Sequence, residues 1–230
     1  MPLQIFVEDQ LSDAYEILAL RALGLPARKD RRRVRASRID IEDLTARDSL
    51  LDLARRAWDS GYDCVLFLMD EEGLPRSPER PEKLRSFRQA FRELCDHLSG
   101  LRDGDSLRQL KVTRVVCRRC LESWLAADPQ AIVDSVRGSR GVSYRPDPKR
   151  TDDLLPAQAG EKIAQVIRET GRRLDRRDLT RVATGSIKSR GASIAEHVDP
   201  GRARRHNASL AYFFDMVDGN RSGCEHPFPE

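Results

Sequence analysis

Two acidic residues stand directly behind the two most apolar runs of the chain. Glu8 follows Leu3–Val7 in "LQIFVEDQLSD", and Asp70 ends "DCVLFLMD", with Glu71 and Glu72 behind it. Two further acids, Glu122 and Asp128, lie in "CLESWLAAD", after the apolar stretch "LKVTRVVC". Carboxylates brought to one place repel each other, and a cation relieves that repulsion. Oxygen-only ligands suit a hard divalent ion, Mg²⁺ or Mn²⁺. Such an ion polarises a phosphoryl oxygen, activates water and stabilises a leaving oxygen. A carboxylate after a strand also serves simply to cap the next helix, as Asp9 and Ser12 would. Glu8 alone fits that plainer role; Glu8 together with Asp70, after the two best strands, favours a site.

The elements that must position these groups are legible. Leu3–Val7 predicts a first strand, and Leu11, Tyr15, Leu18 and Ala22 fall at helical spacing before Gly24. Val34, Ala36 and Ile39 permit a second strand. Leu50, Ala54, Ala57 and Trp58 share the face of a helix that Gly61 ends. Cys64–Met69 is a continuous apolar run, suited to a strand buried on both faces. Leu84, Phe87, Phe91, Leu94 and Leu98 mark an amphipathic helix, and "LKVTRVVC" a fourth strand. "CLESWLAADPQAIVDSV" reads as two short helices, the second opened by Pro129. The alternation of strands and helices implies an α/β fold with a mainly parallel sheet and helices on both faces. In such a sheet, ligands bind outside the carboxyl ends of the strands, where Glu8, Asp70 and Glu122 are expected to converge. Residues 141–230 are expected to form a helical, Arg-rich extension packed on an α/β domain of residues 1–140.

This pattern resembles the Toprim domain, the topoisomerase–primase fold. That family carries a Glu at the end of its first strand and Asp-x-Asp at the end of its third; the matches are "FVED" and "FLMDEEG". "CLESWLAAD" resembles a Glu-x-Trp-Leu-x-x-Asp signature of Toprim-like proteins from bacterial defence and mobile-element loci, and "SIAEHVDP" and "NASLAYFFDMV" are similar to their C-terminal part. The resemblance implies Glu8 as metal ligand or acid/base group and Asp70 and Glu72 as ligands. Glu122 would complete the site, with Asp128 behind it. Asp9 stands where the family has Gly, and Glu72 where it has the second Asp.

Composition adds partners. The 230-residue chain has a formal net charge of +4. From Arg172 to Arg205 it holds ten Lys/Arg against four Asp/Glu, a local +6 that leaves about −2 elsewhere. A basic tail suggests a polyanion, and Arg172, Arg173, Lys188, Arg190, Arg202, Arg204 and Arg205 are the candidate contacts to nucleic-acid phosphates. A solvated arginine-rich face is the plainer alternative. No apolar stretch reaches membrane-spanning length, and the N-terminus lacks the pattern of a signal peptide. The five cysteines are expected as free thiols in a reducing cytosol. "CRRC" has metal-ligand spacing, but only Cys224 and His226 could complete a zinc site, so buried thiols are the better reading. His97, His197 and His206 carry no clear chemistry, and "GSRG" reads as a turn. There is no Walker loop, GxGxxG or GxSxG. Trp124 is expected to pack and fix the acidic segment. These features together point to divalent-metal-dependent cleavage of nucleic-acid phosphodiesters in a cytoplasmic defence system. The alternatives are a catalytically weak binding or regulatory subunit acting with an ATPase partner, and a phosphatase-like enzyme acting on small phosphate esters.

Overall fold

The computed structural model describes residues 2–8, 11–26, 33–71, 80–144, 150–184 and 187–218; Arg80 and Lys188 are described in their backbone alone. Four strands form one all-parallel sheet in the order β2-β1-β3-β4. They are β1 (Leu3–Val7), β2 (Val34–Arg38), β3 (Cys64–Asp70) and β4 (Lys111–Cys117). The central strands β1 and β3 are apolar because helices cover both their faces. Edge strand β2 alternates Arg with small residues because only part of it is covered.

Side-chain alternation splits the core in two. Ile5, Val7, Leu66, Leu68 and Val115 face one layer, whereas Phe6, Val65, Phe67, Met69 and Val112 face the other. The second layer is built by α2 (Ile41–Leu44), α3 (Arg47–Asp59) and α4 (Arg80–Ser99). Phe87, Phe91, Leu94 and Leu98 of α4 seat on it at the expected helical spacing, and Phe6 stacks on Phe67 with ring centroids 5.6 Å apart.

The first layer is larger. It holds α1 (Ser12–Ala22), α5 (Leu121–Leu125), α6 (Pro129–Asp134) and α7 (Pro156–Arg173). The later helices α8 (Arg177–Thr180), α9 (Gly191–Ala195), α10 (Pro200–Ala203) and α11 (Ala208–Val217) join it. Residues beyond 150 therefore share one core with β1, β3 and β4. Phe213 and Phe214 of α11 are fully buried, and α11 packs along β4. No helix among the described residues is long and apolar enough to cross a membrane.

The topology sets up a crevice. From β1 the chain moves outward to β2 through α1, which lies in the first layer. From β3 it moves outward to β4 through α4, which lies in the second. The connections after β1 and β3 thus diverge to opposite faces, which makes their carboxyl ends a topological switch point, the usual ligand position of such sheets.

Candidate acidic site

Glu8 and Asp70 end the two strands at that switch point. Val7 pairs with Leu68 across β1 and β3, so Asp70 reaches two residues further than the end of β1. There its backbone N–H donates to Glu8 Oε1 at 3.1 Å. Asp70 is 7% exposed and turns toward the first layer, as Leu66 and Leu68 do. Tyr15 of α1, fully buried, donates its hydroxyl to Asp70 Oδ1 at 3.0 Å. A charge held this deep needs such a donor, because an unsatisfied carboxylate in a protein interior is costly.

Asp70 also faces Cys117, its register partner on β4. The Cys117 thiol lies close enough to Asp70, and the Cys120 thiol close enough to Glu122, for each carboxylate to act on it electrostatically. Burial, and then the neighbouring Asp70 carboxylate, hold Cys117 well above the ordinary thiol range. Burial, followed by the charge of Glu122, does the same for Cys120. Both thiols are held in the protonated form. The link from Glu8 to Asp70, through the two thiols, to half-buried Glu122 brings together the three predicted acids of separate segments. The turn that permits it passes through Arg119, whose φ of 69° is left-handed and whose N–H donates to Glu71 Oε2 at 3.3 Å.

Trp124 locks this edge from behind. Its ring meets Tyr15 edge-on at 5.8 Å and Phe213 at 5.0 Å, and its Nε1–H donates to Ser209 Oγ at 2.8 Å. Ser209 in turn donates to Asn207 Oδ1 and accepts from the Arg118 N–H. The segments "LESW" and "NASLAYFF" are thus two halves of one lock. The sequence marks Tyr15 only as a residue of the apolar helix face; a phenol on the helix that follows the first acidic strand end was the signal for its polar role.

Asp128 plays a different part from the ligand role expected of it. It is 1% exposed and caps α6 through the Ala131 N–H. It also accepts the Asp199 N–H and both prongs of the Arg202 guanidinium, at 3.0 and 2.9 Å. Its oxygens join "LAAD" to "HVDP" and hold the fold rather than extend the acidic site. Arg202 is correspondingly turned inward. Arg204 is ion-paired to Asp215 and Asp218, with its guanidinium over the Phe214 ring at 5.6 Å. Those two arginines therefore serve packing rather than the phosphate contact expected of them. Arg172 and Arg205 are exposed, Arg173 is exposed and donates to Ser143 O, and Arg190 is half-buried. The side chain of Lys188 and all of Glu72, Asp9, Cys224 and His226 lie outside the described residues.

The donor chemistry fits a hard cation, since Glu8 and Asp70 are carboxylates and the Glu8 carboxylate lies against the Asp70 backbone N–H. Among the described residues, no group of three His, Cys, Asp or Glu side chains is disposed to hold one ion. Glu8 and Asp70 form the inner pair, and Glu122 stands behind the thiols. In comparisons with known proteins, no family model matches the chain, nor does any curated protein or solved structure.

Proposed function

We propose that the chain is a Toprim-like, divalent-cation-dependent nuclease that hydrolyses nucleic-acid phosphodiesters, acting in bacterial defence. The observation that carries this reading is the direct contact of Glu8 with Asp70 at the topological switch point of a parallel sheet. A carboxylate that reaches the backbone of a second acidic strand end, by way of strands distant in sequence, supports a role beyond capping.

In this reading Glu8 and Asp70 hold Mg²⁺ or Mn²⁺, with Glu72 as the proposed further ligand. The bound cation supplies neutralisation of phosphate charge and polarisation of the phosphoryl oxygen. The chain's own groups do the rest. Tyr15 fixes the Asp70 carboxylate in one rotamer, so that it is oriented before substrate arrives. Glu8 accepts the proton of the attacking water as the new P–O bond forms. The ester P–O bond breaks, and the departing oxygen takes a proton from solvent water. The free thiols Cys64, Cys95, Cys117 and Cys120 agree with a reducing cytosol.

The test is cleavage of labelled oligonucleotides and plasmid by the full chain with Mg²⁺, with Mn²⁺ and with chelator. Metal-dependent cutting that is lost in Asp70→Asn and Glu8→Gln supports the reading. A wild-type chain inert with both ions, or an Asp70→Asn protein that cuts at the wild-type rate, overturns it.

A further inference from the structure

Outward cationic residues occur on the C-terminal segment, at Arg172, Arg173, Arg177, Arg181 and Arg205, and as a second set on α4. Arg85, Arg88 and Arg92 are exposed and fall at i, i+3 and i+7, so they form one stripe along the helix. They line a groove of about 700 Å³ with Thr45, Arg47, Gln89 and one acid, Glu93. Arg114 of edge strand β4 extends the stripe. Its guanidinium lies over the Phe91 ring at 5.8 Å, close enough to Arg88 and Arg92 for their charges to add to burial in lowering its pKa. Among the described residues, none of Arg88, Arg92 and Arg114 forms an ion pair. The acids near the stripe are Glu82 one turn before Arg85, Glu93, which accepts from Gln89, Asp96 one turn beyond Arg92, and Asp48, which pairs with Arg47.

Four guanidinium groups kept together, with no ion pair at Arg88, Arg92 or Arg114 among the described residues, repel each other, and a polyanion relieves that repulsion. We propose that the α4–β4 flank, through Arg85, Arg88, Arg92 and Arg114, binds the phosphate backbone of duplex nucleic acid and leads it to the acidic edge. The direction follows from the register. Arg114 lies three residues before Cys117 on β4, about 10 Å at ~3.3 Å per residue, and Cys117 is the partner of Asp70. The duplex form follows from the surface chemistry. Single strands are held largely by base stacking on exposed aromatic rings, and the aromatic ring at this stripe, Phe91, is buried under Arg114. Guanidinium forks match phosphate oxygens and read no sequence.

The inference rests on the nuclease reading for the identity of its polyanion, so binding is measured in chelator, where no cleavage occurs. The full chain and the variants Arg88→Gln/Arg92→Gln and Arg172→Gln/Arg173→Gln are titrated with a labelled 20-base-pair DNA duplex of arbitrary sequence between 50 and 200 mM salt. All four side chains are exposed, so both double variants should melt as the wild type does. We expect the α4 variant to bind about tenfold more weakly, with the slope of log K against log salt reduced by about 2, and the α7 variant to bind nearly as wild type. Asp70→Asn should lose cleavage and keep duplex binding, which separates this proposal from the nuclease reading. An α4 variant with wild-type affinity and slope overturns the proposal. So does a wild-type chain that prefers a single strand of the same sequence, or vesicles of anionic lipid, to the duplex.

Discussion

The Tyr15 hydroxyl, from the first helix, donates to the carboxylate of Asp70, the last residue of the third strand, at 3.0 Å. The bond crosses 55 positions of sequence and joins a buried phenol to a buried charge. Tyr15 is a positioning residue in this arrangement. Tyr15→Phe keeps the ring against Trp124 and removes only the donor. Hydrogen bonds to charged groups contribute about 1.5–3 kcal/mol, so the variant should lose stability in that range. Cleavage should fall about tenfold in kcat with KM little changed, and raising Mn²⁺ should restore part of it by refixing Asp70.

Divalent metal should raise the melting temperature of the wild type, because a ligand that binds only the native state stabilises it by mass action. Asp70→Asn keeps an oxygen for the Tyr15 hydroxyl while removing the charge beside Glu8. In chelator this variant should be at least as stable as wild type, since a like-charge contact is relieved. The metal-induced rise in Tm should vanish in it. A wild-type Tm indifferent to saturating Mg²⁺ and Mn²⁺ would count against the cation site.

The Asp128–Arg202 pair should matter to stability and not to chemistry. Removing one partner of a buried pair typically costs about 3–5 kcal/mol. Arg202 is 40% exposed in its side chain, so water screens part of the loss and the lower end is expected. Asp128→Ala also strands the Asp199 and Ala131 N–H groups and should cost about 3 kcal/mol in urea denaturation. Arg202→Ala leaves Asp128 its backbone donors but no counter-charge and should cost somewhat less. Neither should change the salt slope of nucleic-acid binding.

The thiols beside the acidic edge predict a pH response. Their folded pKa values are raised above the ordinary value, chiefly by burial, so the protonated form is favoured in the native state. That stability is fully present below the unfolded thiol pKa of ~8.5, and it is lost as pH rises toward the higher folded values. In metal-free buffer, stability should fall between pH 8.5 and 10 by up to ~1.4 kcal/mol per pH unit per thiol. Cys117→Ala/Cys120→Ala should show a shallower decline. Native protein at pH 8 should leave both thiols unalkylated by iodoacetamide until it is denatured, read by mass spectrometry.

The lock behind the site can be opened with one atom. Ser209→Ala strands the Trp124 Nε1–H and the Arg118 N–H, two buried or half-buried donors. Each unsatisfied buried donor costs about 1–3 kcal/mol, so a loss near 3 kcal/mol is expected. Trp124→Phe gives up the same indole bond together with ring area. Its loss of stability should overlap with that of Ser209→Ala in a double-mutant cycle, since the two act on one contact.

Much of this was legible along the chain. Continuous apolar runs at Leu3–Val7 and Cys64–Met69 mark strands buried on both faces, and the i, i+3, i+4 spacing of Phe87, Phe91, Leu94 and Leu98 marks the helix between two parallel strands. Those signals are local, because backbone geometry repeats every two or 3.6 residues, and from them follow a parallel sheet and the placing of Glu8 and Asp70 at strand ends. The tertiary structure alone decided which strands are neighbours. β1 lies beside β3, and that adjacency turns two strand-end acids into one contact. It also decided what each charge meets. Asp128 and Glu122 stand six residues apart in one motif, yet Asp128 closes on Arg202, 74 residues away, while Glu122 faces Cys120. The arginine-rich C-terminal stretch turned part of its charge inward to Asp128, Asp215 and Asp218, and a further outward stripe formed on α4. Charge count is a property of composition, but whether a guanidinium meets a carboxylate, a ring or solvent depends on what the fold places opposite it, and no local period in the sequence encodes that.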